Sequence, residues 1–455
     1  MGRPLASLHL LLGVFGLLTL LGLAMVLSAS SVTSIARTGS PYGVFWRQVL
    51  FFAAGLVTFW IGLRVPPRKL RAMAPTVLLV TLVLLVAVLV PGVGTTIAGA
   101  RKWFTVAGLS FQPSEPAKVA LALWGAHVLA TRRSSVHLWQ VALVPLVPVS
   151  MVMLLLVVLE PDLGTAISIA VLVGALLFYG HAPARLLLLL GGGGVGAVVV
   201  LALTVGYRQA RITAFLSPDT TDPLGAGYQS KQALYALADG GFFGLGLGQG
   251  RAKWDYLPNG YNDFIFAIVG EELGMIGGIV VVALFALLAW TGLRIAARNT
   301  DPWLKIITAA LTTWLVAQAA INIGYVIGLL PVTGIPLPLI SSGGTSLVVT
   351  MFAFGLLASA ARHEPDAIAT LQQKGPGRTA RLLRLPTPTP SSTPHPPGRA
   401  HPGAVRTSGP PGPARRPAAP QPIRSTSGTR APAAASRTAR PLGQPGPRAR
   451  RGSRP

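Results

Sequence analysis

The sequence predicts an all-α polytopic membrane protein of about ten transmembrane helices, and three observations predict it. Of its 455 residues, 51% are hydrophobic and only 11% are charged, whereas soluble domains average about 25% charged. The mean hydropathy is +0.58. The apolar residues also gather into runs near 20 residues long, enough to cross about 30 Å of hydrocarbon at about 1.5 Å per helical residue. A soluble enzyme and a disordered chain are both excluded over most of the length.

Ten segments meet the length criterion: 8–28, 44–63, 73–91, 113–131, 141–159, 162–180, 185–206, 263–290, 303–329 and 343–361. The first has the look of a secretory signal, but its apolar stretch outruns the usual one, so an uncleaved anchor is expected. Basic residues in short loops set the orientation. One set of alternate loops holds ten, including Arg64, Arg68, Arg132, Arg294 and Lys305; the opposite set holds four, Arg37, Arg47, Arg101 and Lys102. Both termini are therefore expected in the cytoplasm, with 92–112, 331–342 and a large loop at 207–262 (between helices 7 and 8) outside.

The charge is uneven. The tail at 367–455 holds sixteen of the 38 Lys and Arg, nineteen of the 39 prolines and no acidic residue, so it supplies +16 of the net +25. Such a segment cannot bury enough apolar surface to fold. It is expected to be a disordered cytoplasmic tail, first of all a solvated tether, with contact to anionic membrane lipid by electrostatics as the alternative, and not a nucleic-acid partner. Residues 1–366 then form the membrane domain. The chain has no cysteine, which excludes disulfides and thiolate chemistry.

Ionisable groups inside a membrane are costly and mark candidate sites. In the segment opening the fourth span, Ser114 is placed to cap the helix, while Glu115 and Lys118, at i and i+3, share a face and can neutralise each other; Gln112 precedes them. Arg101, Lys102 and Trp103 set cations beside an aromatic ring, suiting an anionic headgroup or an ordinary interfacial belt. Glu160 and Asp162 join two spans so tightly that both carboxylates stay near membrane level, with Asp162 placed to cap the sixth helix. Tyr228 to Ala238 has near-helical spacing and reads as an interfacial helix. The glycines of 240–248 lack a Walker lysine or a preceding strand, so they suggest close backbone packing and not nucleotide binding. Asp263 stands at the threshold of the eighth span, near Arg251 and Lys253, as a helix cap or as a base facing a lipid-linked substrate. Glu271 and Glu272 follow, about 12–13 Å deeper along a helix; at least one must face the interior and find a partner.

Together these motifs resemble the SEDS family of FtsW and RodA proteins. The pieces are FQPSEPAK at 111–118, EPDLGT at 160–165, GYQSKQALYALADGGFFGLGLG at 227–248, KWDYLP at 253–258, NDFIFAIVGEELG at 262–274 and NIGYVIGLLPVTGIPLPLISSGGTSL at 322–347. The basic tail and ARHEP at 361–365 look more like the actinobacterial FtsW branch than the RodA branch. The resemblance implies a peptidoglycan glycosyltransferase that polymerises lipid II outside the cytoplasmic membrane, beside a class B penicillin-binding protein and other division proteins. It places the family's essential aspartate at Asp263 and its Arg-Gln pair at Arg47-Gln48. The chain departs from the family pattern at Ala98, Asn259, Tyr261 and Asn262.

Read as chemistry, Asp263 would accept a proton from an acceptor hydroxyl. Arg47, Arg101, Lys102, Lys118 or a divalent cation (Mg or Mn) would steady the departing pyrophosphate. A lipid II flippase, a proton-coupled transporter using Glu115, Glu271 and Glu272, a division scaffold and a RodA-type elongation polymerase are the competing functions.

Overall fold

The computed structural model describes residues 5–97, 99–106, 108–132, 145–204, 227–258, 260–375 and 377–388, with 213, 215 and 216. Each of the ten expected spans coincides with a helix: α1 (Ala6–Thr38), α2 (Gly43–Arg64), α3 (Pro67–Leu89), α4 (Ser114–Thr131), α5 (Leu146–Leu159), α6 (Leu163–Tyr179), α7 (Ala184–Thr204), α9 (Ile265–Arg298), α10 (Pro302–Val326) and α11 (Gly344–Arg362). The expected interfacial helix is α8 (Tyr228–Gly240). Six of the ten (α1, α2, α3, α9, α10 and α11) are long and apolar enough to cross a membrane by themselves, and α5, α6 and α7 are shorter apolar helices.

Burial sorts the helices. The apolar windows of α10 and α11 are 67% and 78% buried, against 11% for α2 and 28% for α3. Outward-facing Leu, Val and Met on α2 and α3 would be a liability in water; against lipid they are the ordinary surface. Small residues then let helices approach. Gly62 of α2 has the Phe352 carbonyl of α11 2.8 Å from where a Cβ would sit, and Gly55 faces Met351.

Three features depart from expectation. Residues 95–111 form an antiparallel sheet of β1 (Thr95–Ile97), β2 (Ala100–Val106) and β3 (Leu109–Phe111), so the fold is not purely helical; Trp103, Phe104, Thr105 and Val106 favour a pleated strand. The chain beyond 366 also continues in order. Helices α12 (Pro365–Lys374) and α13 (Arg378–Leu382) follow, and the Trp60 indole donates to the Leu383 carbonyl at 3.0 Å. The expected boundary at 366/367 therefore falls inside packed structure. The rest of the expected tail, 389–455, lies outside the described residues, as does most of the 207–226 loop.

Third, α9 is not straight: Gly274 (φ 70°, ψ −169°) breaks it, a conformation for which glycine is the default residue. The residues after the break span about 36 Å, a full bilayer by themselves. Glu271 and Glu272 lie on the short helical segment ahead of the break. The glycine-rich turn packs there, with the Leu245 and Gly246 amides donating to the Glu271 and Glu272 carbonyls at 2.9 and 3.0 Å. Close backbone packing is thus what those glycines permit.

Candidate functional site

The sheet, the α5–α6 turn, α8, the start of α9 and the segment 331–343 gather at one end of the bundle, here termed the sheet end. Asp162 anchors one part of it. It caps α6, as expected, by accepting from the Thr165 amide at 3.1 Å. Its Oδ2 also accepts from Lys102 Nζ at 3.0 Å, Gln112 Nε2 at 2.8 Å and Thr165 Oγ1 at 2.8 Å. Strand alternation sends Lys102 one way and Arg101 and Trp103 the other; Arg101 donates back to the Leu89 carbonyl at 3.3 Å. Lys102 also stands 6.0 Å from the Trp103 ring. Burial alone would raise the Asp162 carboxyl, but Lys102 and the Thr165 hydrogen bonds outweigh it and hold Asp162 below its ordinary value.

Glu160, two residues earlier, shows the opposite balance. Neither of its oxygens has a hydrogen-bond partner among the described residues, and burial, with the Asp162 charge beside it, pushes its pKa from 4.5 to about 8. Through that window the folded chain keeps a proton the unfolded chain has lost, so stability falls as pH rises from about 4.5 to about 8. Glu160→Gln should remove this slope. Melting temperatures at pH 5 and pH 8 are expected to differ less in the variant than in the wild type, and equal differences would refute the assignment.

The FQPSEPAK segment is rearranged from expectation. Ser114 does not cap α4: Pro113 occupies the cap position, and Ser114 Oγ accepts from Gln112 Nε2 at 3.0 Å. The Gln112 backbone N–H donates to Thr345 Oγ1 at 3.1 Å, tying the start of α4 to α11. Glu115 and Lys118 do pair, at 2.9 Å. Lys118, however, is 1% exposed and lies 4.9 Å over the Trp314 ring, so its ammonium is held inside the bundle and not offered to a ligand. Lys253 likewise turns inward, donating to the Gly248 carbonyl and lying 3.7 Å from Glu272.

Both glutamates of α9 face inward with partners. Glu272 accepts from Ser28 Oγ at 2.6 Å, and Glu271 accepts from the Arg251 and Ala252 amides, fixing the π-helical turn at Ala252–Tyr256 against α9. These two carboxylates are thus tied into scaffold contacts.

Asp263 is different. The cap of α9 falls to Phe264, with no side-chain hydrogen bond, so Asp263 stands just outside the helix in a half-buried turn. Its carbonyl is gripped from α10: Asn322 Nδ2 donates to it at 2.8 Å and Tyr325 Oη at 2.7 Å. The same two side chains reach the Ile335 carbonyl at 2.7 and 2.8 Å, and Gln318 donates to the Pro336 carbonyl at 3.0 Å. Residues 318, 322 and 325 form one stripe of α10, at i, i+4 and i+7. Between the gripped points, Gly334 (φ 72°) passes beside the carboxylate, with its would-be Cβ 3.5 Å from Asp263 Oδ2. The segment 331–343 also reaches the Asp162 side, since the Thr333 carbonyl lies 2.8 Å from a would-be Cβ on Gly164.

A cation that the motifs did not single out joins here. Arg37, exposed at the end of α1, donates to Tyr261 Oη at 3.3 Å, two residues from Asp263. Arg47 is exposed on α2, whereas the adjacent Gln48 is buried. Among the described residues no group of three or more His, Asp and Glu side chains gathers in one place. The chemistry below uses the protein's own groups. Asn259 and Ala98 lie outside the described residues.

Bundle and site define a multi-pass helical membrane protein whose sheet end carries a positioned carboxylate among basic side chains. The profile of the cell cycle proteins FtsW, RodA and SpoVE matches residues 8–366. The chain belongs to that family. It is 50% identical over 390 residues to the "Probable peptidoglycan glycosyltransferase FtsW" of Mycobacterium tuberculosis (strain ATCC 25618 / H37Rv), covering 86% of this chain and 74% of the relative. It is 38% identical to the stage V sporulation protein E of Bacillus subtilis (strain 168), covering 78% of this chain and 97% of that one. Among solved structures it is similar to the rod shape determining protein RodA of Thermus thermophilus, with TM-score 0.58 at 26% identity, covering 78% of this chain and 96% of that one. It is also similar to a chain from a peptidoglycan synthase complex that coordinates polymerisation and crosslinking, with TM-score 0.63 at 28% identity, covering 79% and 97%.

Proposed function

We propose that the chain is an FtsW-type peptidoglycan glycosyltransferase that polymerises lipid II into β-1,4 glycan strands during cell division. The observation that carries the chemistry is Asp263, a carboxylate outside its helix whose backbone is clamped by Asn322 and Tyr325. The Asp263 carboxylate takes the proton of the acceptor sugar's 4-hydroxyl as that oxygen attacks the anomeric carbon of the donor. The bond from that carbon to the lipid pyrophosphate breaks, and the pyrophosphate leaves with the electron pair. Attack from the opposite side inverts the centre and gives the β linkage. Arg37, Arg47, Arg101 and Lys102, from the sheet-end halves of α1, α2 and the sheet, supply positive charge for the leaving group.

The basic-residue count favours the sheet end outside the cytoplasmic membrane, with both termini inside, and the FtsW-type reading puts the chain at the division septum. The class B penicillin-binding protein expected as partner would then meet the glycan product on the same side. In purified protein with that partner, labelled lipid II should become glycan ladders. If the folded complex makes no polymer but moves lipid II across vesicles, the flippase reading replaces this one. The gathering of Asp162, Asp263 and the cations Arg37 and Lys102 at the sheet end favours the polymerase.

A further inference from the structure

At the opposite end of the bundle from Asp263, three helix junctions and the returning chain line a half-open cavity of about 550 Å³. The α2–α3 turn contributes Arg64 and Arg68, the α9–α10 turn Asp301, and the end of α11 Arg362 and His363, while Pro386 forms part of the wall. Arg362 is only 5% exposed. Among the described residues no carboxylate lies within 4.0 Å of its guanidinium, and its Nη2 donates to the Pro386 carbonyl at 2.8 Å. Arg64 also has no carboxylate within that distance among the described residues, and it lies 4.8 Å over the Trp60 ring. Asp301, the acidic residue of the lining, caps α10 through the Trp303 amide at 2.8 Å.

A buried guanidinium without a counter-ion is costly, and an anion that enters beside it recovers that cost. The planar fork of five N–H groups matches phosphate oxygens in pairs. Most of the remaining lining is apolar, including Leu63, Val65 and Leu304, which suits the glycerol and upper acyl region of a lipid. We propose that this cavity is a binding site for a phosphate-bearing anion, held by Arg362 and Arg64. Two sources share that chemistry: the headgroup of an anionic membrane lipid, and a free phosphate ester. The ligand also bears on the tail. The returning segment is fastened at Leu383 by Trp60 and at Pro386 by Arg362, so an anion on Arg362 shares a side chain with the strap that leads into the basic tail. This site lies outside the polymerase chemistry and does not depend on Asp263.

The test uses the full-length protein in micelles, with phosphatidylglycerol, phosphatidylcholine and sn-glycerol 3-phosphate as probes. Native mass spectrometry reads lipid retention, and thermal shift reads the soluble phosphate. Wild type should hold phosphatidylglycerol about tenfold more tightly than phosphatidylcholine, and Arg362→Gln and Arg64→Gln should lose that preference. Stabilisation of wild type, but not of the variants, by glycerol phosphate without lipid preference would support the site with a soluble occupant. The half-buried Arg64 makes its variant decisive should Arg362→Gln fail to fold. The proposal is overturned if wild type shows neither preference nor stabilisation, or if folded Arg64→Gln matches wild type in both.

Discussion

Asp263→Ala should lower glycan polymerisation by about 10²–10⁴-fold, the range a positioned general base supplies, while leaving the melting temperature close to that of wild type. The expectation of a folded variant rests on geometry. Two contacts that hold this turn, from Asn322 and Tyr325, go to the Asp263 backbone carbonyl and survive truncation of the side chain. Asp263→Asn keeps the shape but not the basicity, and should lose as much. Single-turnover polymerisation with labelled lipid II, beside circular dichroism of each variant, measures both quantities. Activity near wild type in both variants would remove the assigned base.

Lys118→Met should cost about 3–5 kcal/mol of stability, because it strands Glu115 as a buried charge without its counter-ion. Glu115 is 4% exposed, and Lys118 also forfeits its position over Trp314. The double variant Glu115→Gln with Lys118→Met carries no buried charge at this position and should recover most of the loss. Thermal denaturation of the three proteins in one detergent decides it. If the single and double variants melt together, the loss comes from packing around Trp314 and not from the stranded charge. Activity of the single variant should track its folded fraction, since the ammonium is turned away from the sheet-end surface.

The helices were legible in the sequence because each span is a run of apolar residues set off by loops, and bilayer thickness imposes that pattern on any such chain. The small sheet was not. Arg101 and Lys102 led its second strand to be read as an interfacial loop, and nothing local shows that Lys102 lies against Asp162, 60 residues away. The break at Gly274 was hidden for a related reason: a glycine within a long apolar helix looks the same whether it continues the helix or ends it. Asp263 was recognised through its motif. Its grip from α10 went unseen although Gln318, Asn322 and Tyr325 stand in plain helical spacing, because their acceptors are backbone carbonyls and no complementary side chain advertises them. The inward turn of Lys118 and Lys253 depends on Trp314, Gly248 and Glu272, partners that only the packed bundle supplies.

Because the Asp263 and Ile335 carbonyls hang from one turn of α10, tolerance to changes in chain length is very uneven across this region. A residue added between Gly328 and Val332 can bulge outward, since the pinned points lie on either side of it. A residue added to α10 ahead of Asn322 is another matter. It rotates everything beyond it by about 100°, carrying Asn322 and Tyr325 off both carbonyls at once and releasing the Asp263 turn together with the segment beside it. Insertions and deletions among related chains should therefore collect in the turn after α10 and be missing from the helix.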